Sequence, residues 1–182
     1  MKHFIILCFL TFLSFSSKAQ VLPLDPETKI TTFQETISLD SAGKESLSQE
    51  DVYNRSIAWL TNYYKTSKFD IDKKVEGKTG HEGNFVVSLT YDFKYKAEHT
   101  ITYNLLINQK VGKYRYTLTD FQIYNAKTGP KSIQYLEGAF AKMTLANKKE
   151  LIAQLNKEVK VITDSLKESM KSGEAKAKSE WD

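Results

Sequence analysis

Asn84 to Lys96, NFVVSLTYDFKYK, is the stretch that most limits what this chain can become. Odd positions read Phe85, Val87, Leu89, Tyr91, Phe93 and Tyr95, and even ones read Asn84, Val86, Ser88, Thr90, Asp92 and Lys94. A period of two with one apolar side is the pattern of a half-buried β-strand. Burying those odd side chains at roughly 1.5–3 kcal/mol each outweighs any single polar contact, so the fold must supply a cover for that face. HTITYNLLIN repeats the pattern with Ile101, Tyr103, Leu105 and Ile107. KYRYTLTDFQIY sets Tyr114, Tyr116 and Leu118 on one parity, then Phe121 and Ile123 on the other, a slip at Asp120 that predicts a β-bulge. Upstream, FDIDKKVEG aligns Phe69, Ile71 and Val75 as a further strand. Connections read as short around Gly80, Ala97 and Gly112 make these four strands an antiparallel meander.

Two helices can provide the cover. After a strand in Lys29–Leu39, with Phe33, Ile37 and Leu39 on one side, and a loop DSAGKES, Ser48 and Asp51 have the spacing of a capping box. Leu47 and Val52 fit a hydrophobic staple, and Val52, Ser56, Trp59, Tyr63 with Tyr53, Ile57, Leu60, Tyr64 form a broad helical stripe. NAKTGPKS ends the meander, and from about residue 131 to 171 the pattern is helical, with Leu151, Leu155, Val159, Ile162, Leu166 and Met170 three or four apart. The order strand, helix, four strands, helix predicts an α+β domain with both helices on the aromatic face. Thr90, Thr102, Arg115, Thr117 and Thr119 are then left on the open face, and residues 173–182 form a polar tail.

The first twenty residues, MKHFIILCFLTFLSFSSKAQ, have the order of a secretory signal peptide: Lys2, an uncharged apolar run from Phe4 to Phe15, then Ser17-Lys18-Ala19. The run is shorter than the roughly 20 apolar residues that cross a bilayer, and Cys8 comes too early in it for a lipid anchor. We expect an exported protein, periplasmic or extracellular, that forms one domain over residues 21–172 and carries no transmembrane segment after cleavage. Losing Lys2 and Lys18 leaves 24 basic against 22 acidic residues, a net charge of +2, so charge alone does not hold a partner. The single cysteine leaves with the signal, and with it any disulfide, thiolate nucleophile or cysteine metal site.

Sequence features with chemical promise are few. Arg115 points away from Tyr114 and Tyr116, so the aromatics that could stack on bases belong to the core side. The open face reads as mixed rather than basic, and nucleic acid is not expected as a partner. GKTGHEG (Gly77–Gly83) contains Gly-Lys-Thr, but Asp72 stands where a phosphate loop needs its first glycine and strands follow, so it reads as a hairpin turn. His81 and His99, beside Glu82 and Glu98, flank one presumed strand about 40 Å long at ~3.3 Å per residue, too far to share an ion. Asp70 and Asp72 alternate with Phe69 and Ile71 as solvent-facing residues. No catalytic residues, metal ligands or cofactor site emerge.

Three stretches carry a family likeness: LPLDPETKITTFQETI, LSQEDVYNRSIAWLTNYYK and GKYRYTLTDF. Together they resemble the secreted Bacteroidetes family called domain of unknown function 4468, over roughly residues 22–170. Its Leu-x-Tyr-x-Arg-like helix is matched here by Val52-Tyr53-Asn54-Arg55, with valine in the first place. The resemblance implies a TBP-like fold, β-α-β-β-β-β-α, and brings no activity or functional residues. The expectation is a non-enzymatic binding or structural module of the cell envelope whose open face meets an envelope protein, a peptide or a glycan. Two alternatives stay open: a hydrolase-type enzyme with a site at the strand-end loops near His99 or Asp120, and a homo-oligomer formed through Leu166 and Met170 of the last helix.

Overall fold

The computed structural model describes residues 21–39, 46–65, 78–91 and 95–173. The expected signal peptide, the loop 40–46 except Ser46, the strand at 69–75, Phe93, the side chains of Tyr91 and Tyr95, and the tail beyond Gly173 lie outside the described residues. Strand β1 (Phe33–Ser38) precedes helix α1 (Gln49–Tyr64). Then come β2 (Lys78–Tyr91), β3 (Tyr95–Lys110) and β4 (Lys113–Asn125). A 3₁₀ turn (Gly129–Ser132), the short β5 (Gln134–Tyr135), α2 (Leu136–Lys142) and α3 (Leu145–Ser172) complete the order. The sheet runs β1-β4-β3-β2, all antiparallel, with β5 beside β4 beyond the end of β1.

One face of this sheet carries the core. Phe85, Val87, Leu89, Ile101, Tyr103, Leu105, Ile107, Tyr114, Tyr116, Leu118, Phe121 and Ile123 are all buried, under Trp59 and Leu60 of α1 and Leu151, Leu155, Ile162 and Leu166 of α3. The α+β layout with helices on the aromatic face is the one expected. Local signals behaved as their chemistry dictates. Ser48 and Asp51 close the capping box, each side chain accepting from the other's backbone amide. The bulge lies where Asp120 adopts φ 54°: Thr102 faces Gln122 while Asn104 faces Thr119, so Tyr103 stands opposite two residues. That extra residue lets Phe121 and Ile123 rejoin the buried side.

Several expectations are corrected. Gly80 and Ala97 are not turns: Gly80 pairs with Leu106 inside β2, and Ala97 is buried inside β3 opposite Leu89. Residues 78–83 of the presumed GKTGHEG turn are likewise strand. The chain reverses between Tyr91 and Tyr95, which pair with each other. In that register odd residues face odd residues, so the alternation continues through the reversal as though the strand had never ended. The turn at Val111–Gly112 behaves as read, with Gly112 at φ 65°, a conformation glycine adopts without strain. It joins Lys110 to Lys113, so odd then faces even and the tyrosines of β4 return to the core side. The helical stretch at 131–171 is broken at Met143, and Thr144 caps α3 by accepting from the Asn147 amide at 3.3 Å. Leu166 and Met170 have no exposed surface and sit inside the monomer, so self-association cannot run through them.

Candidate functional site

Strand register arranges the open face in rows. Lys78, Asn108, Arg115 and Thr36 form one row from β2 to β1; Gly80, Leu106, Thr117 and Gln34 form the next. Asn84, Thr102 and Gln122 continue toward the far end. Of the residues singled out in the sequence, Thr102, Arg115, Thr117 and Thr119 share this face. Three of them are already engaged with the β1 side. The Arg115 Nε donates to Thr36 Oγ1 at 2.9 Å, Thr117 Oγ1 donates to Gln34 Oε1 at 3.0 Å, and the Thr119 and Thr32 hydroxyls meet at 3.3 Å. Thr90 is set apart at the end of β2, its amide donating to Glu150 of α3 at 2.9 Å. The threonines are thus in part a polar zipper holding β1 to β4.

At the β3–β4 turn end of this face the described charges are of one sign. Lys78, Lys110, Lys113 and Arg115 surround a depression of about 290 Å³ at the β3–β4 turn, with Asn108 and Thr36 between them. No carboxylate is among its described lining residues, and none of these four cations is in a described ion pair. Sequence reading missed this because Lys78 was assigned to a turn. The two-residue connection after Lys110 was the available signal, since it places Lys110 and Lys113 directly opposite each other.

A cleft of about 430 Å³ lies between the end of α1, α3 and the first half of β2. The Tyr64 and Tyr103 hydroxyls meet there at 2.9 Å, and the His81 ring lies 4.1 Å from that of Tyr64. Burial, with the nearby Glu158 carboxylate adding to it, pushes Tyr63 up to about 12. Tyr103 is also raised, mainly by burial, so these phenols stay neutral and serve as hydrogen-bonding walls rather than as bases.

His99 borders a third cavity, of about 300 Å³, with Lys142, Thr144 and Asn147. Its Nδ1 approaches the Ala97 carbonyl at 3.2 Å. Asp120 lies elsewhere, at the bulge, accepting from Asn104 Nδ2 at 3.1 Å. The two strand-end residues named for a hydrolase are therefore not brought into one site. His81 and His99 sit on opposite arms of one hairpin, six pairs apart (His81 opposite Leu105, Val87 opposite His99). Their separation is about 20 Å at ~3.3 Å per residue, half the value expected from a single strand and still beyond a shared ion. Among the described residues no three His, Cys, Asp or Glu side chains converge as metal ligands, and no helix is long and apolar enough to cross a membrane.

An antiparallel sheet in this order, with the described helices on its buried face, is the layout of a TBP-like α+β protein. Solved structures show the same fold. A TBP-like protein from Parabacteroides distasonis ATCC 8503 is 16% identical, with a TM-score of 0.56 over 78% of this chain and 92% of its own. A DUF4468 family protein from Bacteroides ovatus ATCC 8483 is 11% identical, with a TM-score of 0.51 over 81% of this chain and 92% of its own. The chain belongs to the family described as "Domain of unknown function (DUF4468) with TBP-like fold", whose model matches residues 33–124. No curated protein matches it.

Proposed function

We propose that this protein is a non-enzymatic binding module of the cell envelope, exported by its N-terminal segment, that meets its partner on the open sheet face. The observation that carries the reading is the depression ringed by Lys78, Lys110, Lys113 and Arg115, with no carboxylate among its described lining residues. Four cations brought together by strand register raise the local concentration of an anionic group far more than the near-neutral net charge suggests. The partner is then an envelope protein, peptide or glycan presenting negative charge to that end, while Thr117, Thr119 and Gln34 offer hydrogen-bonding groups beside it. The enzyme alternative has less support, since no described nucleophile, base and orienting acid converge.

Affinity capture from native envelope extract, followed by mass spectrometry, tests the reading. Wild-type protein should retain one partner, and the double variant Lys113→Glu/Arg115→Glu should lose it while keeping a native circular dichroism spectrum. A partner retained equally by the variant would place binding elsewhere.

A further inference from the structure

The cationic depression lies within reach of a stretch of this same chain that carries the opposite charge. Gly112, at the β3–β4 turn, donates its amide to the Leu47 carbonyl at 2.9 Å, so the lead into α1 rests against the turn that Lys110 and Lys113 flank. Arg55, in the second turn of α1, donates to the Met170 carbonyl at 2.7 Å, and a Cβ added to Gly173 would lie 3.2 Å from Arg55 Cζ. Leu47 to Arg55 is a rise of about 12 Å at ~1.5 Å per residue. Gly173 therefore ends the described chain at the same end of the molecule as the depression. The residues that follow it read EAKAKSEWD, with Glu180 and Asp182 on either side of Trp181. From Gly173 to Glu180 the chain can span up to about 25 Å at ~3.3–3.6 Å per residue, twice the rise back along α1 to the turn.

The chemistry matches as well as the reach. Lys78, Lys110, Lys113 and Arg115 present four positive charges with no carboxylate among the described lining residues. Their aliphatic stems add apolar surface. Glu180-Trp181-Asp182 offers two carboxylates to the ammonium groups and an indole face to the Arg115 guanidinium. Tethering gives such a segment an effective concentration on the order of millimolar, so contacts too weak to hold a free peptide suffice. We infer that Glu180-Trp181-Asp182 occupies the cationic depression and competes there with the envelope partner. The contact stands on charge and reach; the competition rests on the open-face reading proposed above. A partner must then bring more negative charge than two carboxylates, which selects strongly anionic partners over weakly anionic ones.

Carbodiimide cross-linking of the purified protein, followed by trypsin and mass spectrometry, tests the contact, because the reagent joins a carboxylate to a lysine amine that touches it. The peptide Ser179–Asp182 should be found on Lys78, Lys110 or Lys113 of its own chain, at least about tenfold above its yield on lysines outside the depression. Salt at about 0.5 M should suppress these links. Lys113→Glu/Arg115→Glu should remove them, and combining it with Glu180→Lys/Asp182→Lys should restore a link of exchanged polarity. Glu180→Lys/Asp182→Lys alone lies outside the described fold and should raise capture of the envelope partner at least about threefold, since more of the protein is then open to bind. No enrichment on the depression lysines, links that join two chains, or no restoration by the charge exchange would each overturn the contact. Unchanged capture by the Glu180→Lys/Asp182→Lys variant would overturn the competition. If the contact fails while Lys113→Glu/Arg115→Glu still loses its partner, the inference falls and the open-face reading stands.

Discussion

Gly83 shows how tightly one residue can be specified by a neighbour across the sheet. It pairs with Tyr103, and a Cβ added there would lie 2.4 Å from the tyrosine's Cζ and hydroxyl oxygen. The space is taken because the Tyr103 hydroxyl extends to Tyr64, closing the gap between sheet and α1. Gly83→Ala should therefore force the ring aside and cost about 1–3 kcal/mol as overpacking, read as a lower urea midpoint. Pairing it with Tyr103→Phe, which removes the nearest oxygen, should recover part of that loss; an unchanged midpoint in the single variant would mean the ring has room to yield. Arg55 is specified by a different need. Its guanidinium donates to the Met170 carbonyl at 2.7 Å, satisfying an acceptor that the last turn of α3 leaves open. In the same way Trp59 donates its indole N–H to Ser165 Oγ at 3.1 Å, so the two most recognisable residues of the first helix both hold the last one.

Among elements, the informative contact is α3 against the outer edge of the described sheet. Gln154 Oε1 accepts from the Ser88 amide at 2.9 Å and its Nε2 donates to the Ser88 carbonyl at 2.6 Å, so one side chain does the pairing of an extra strand. Glu150 accepts from the next outward amide, that of Thr90. Edges left open invite strand addition. Gln154→Leu should lower stability by about 1–2 kcal/mol and raise the mass seen by light scattering as concentration increases. A monodisperse variant with wild-type stability would show that the edge needs no guard. The opposite edge is held by β1, whose Glu35 accepts from Lys167 at 2.7 Å and from the Tyr116 hydroxyl at 2.8 Å; the Lys167 ammonium first, then that hydroxyl, holds its carboxyl below the usual range. Much of this level was legible in the chain. Alternation, the capping box, the slip at Asp120 and the stripe of α3 are local, and each is enforced by the same burial that makes it visible. The Tyr91–Tyr95 reversal was hidden because its register preserves parity, so the pattern carries no mark of it. Lys78, Asn108 and Arg115 come from three different strands, and only pairing brings them into one row.

At the scale of the whole molecule, the sandwich of sheet and helices is held together by aromatic rings, and it keeps phenols out of water. Five of the ten tyrosines, Tyr63, Tyr64, Tyr103, Tyr114 and Tyr116, are held above the ordinary value of 10.0, each chiefly by burial. Tyr63 reaches about 12. Burial disfavours the phenolate, so the folded chain keeps its proton where an unfolded one releases it. A raised native value means the stabilisation is whole below pH 10 and is lost as pH climbs through each native value, because the unfolded state then binds fewer protons. The slope approaches about 1.4 kcal/mol per pH unit for each tyrosine that ionises only on unfolding. With five such groups coupled to one core, stability should hold up to about pH 10 and then collapse steeply rather than decline evenly. Phenolate absorbance near 295 nm should accordingly rise in two stages, a gradual one from the exposed tyrosines and a cooperative one that coincides with the loss of far-ultraviolet dichroism. Replacing Tyr103 with Phe removes one of the coupled protons and should make the stability decline above pH 10 shallower. Full phenolate absorbance reached while the dichroism stays native would mean that these rings are open to solvent, and that the aromatic face of the sheet is not the closed core on which the free opposite face depends.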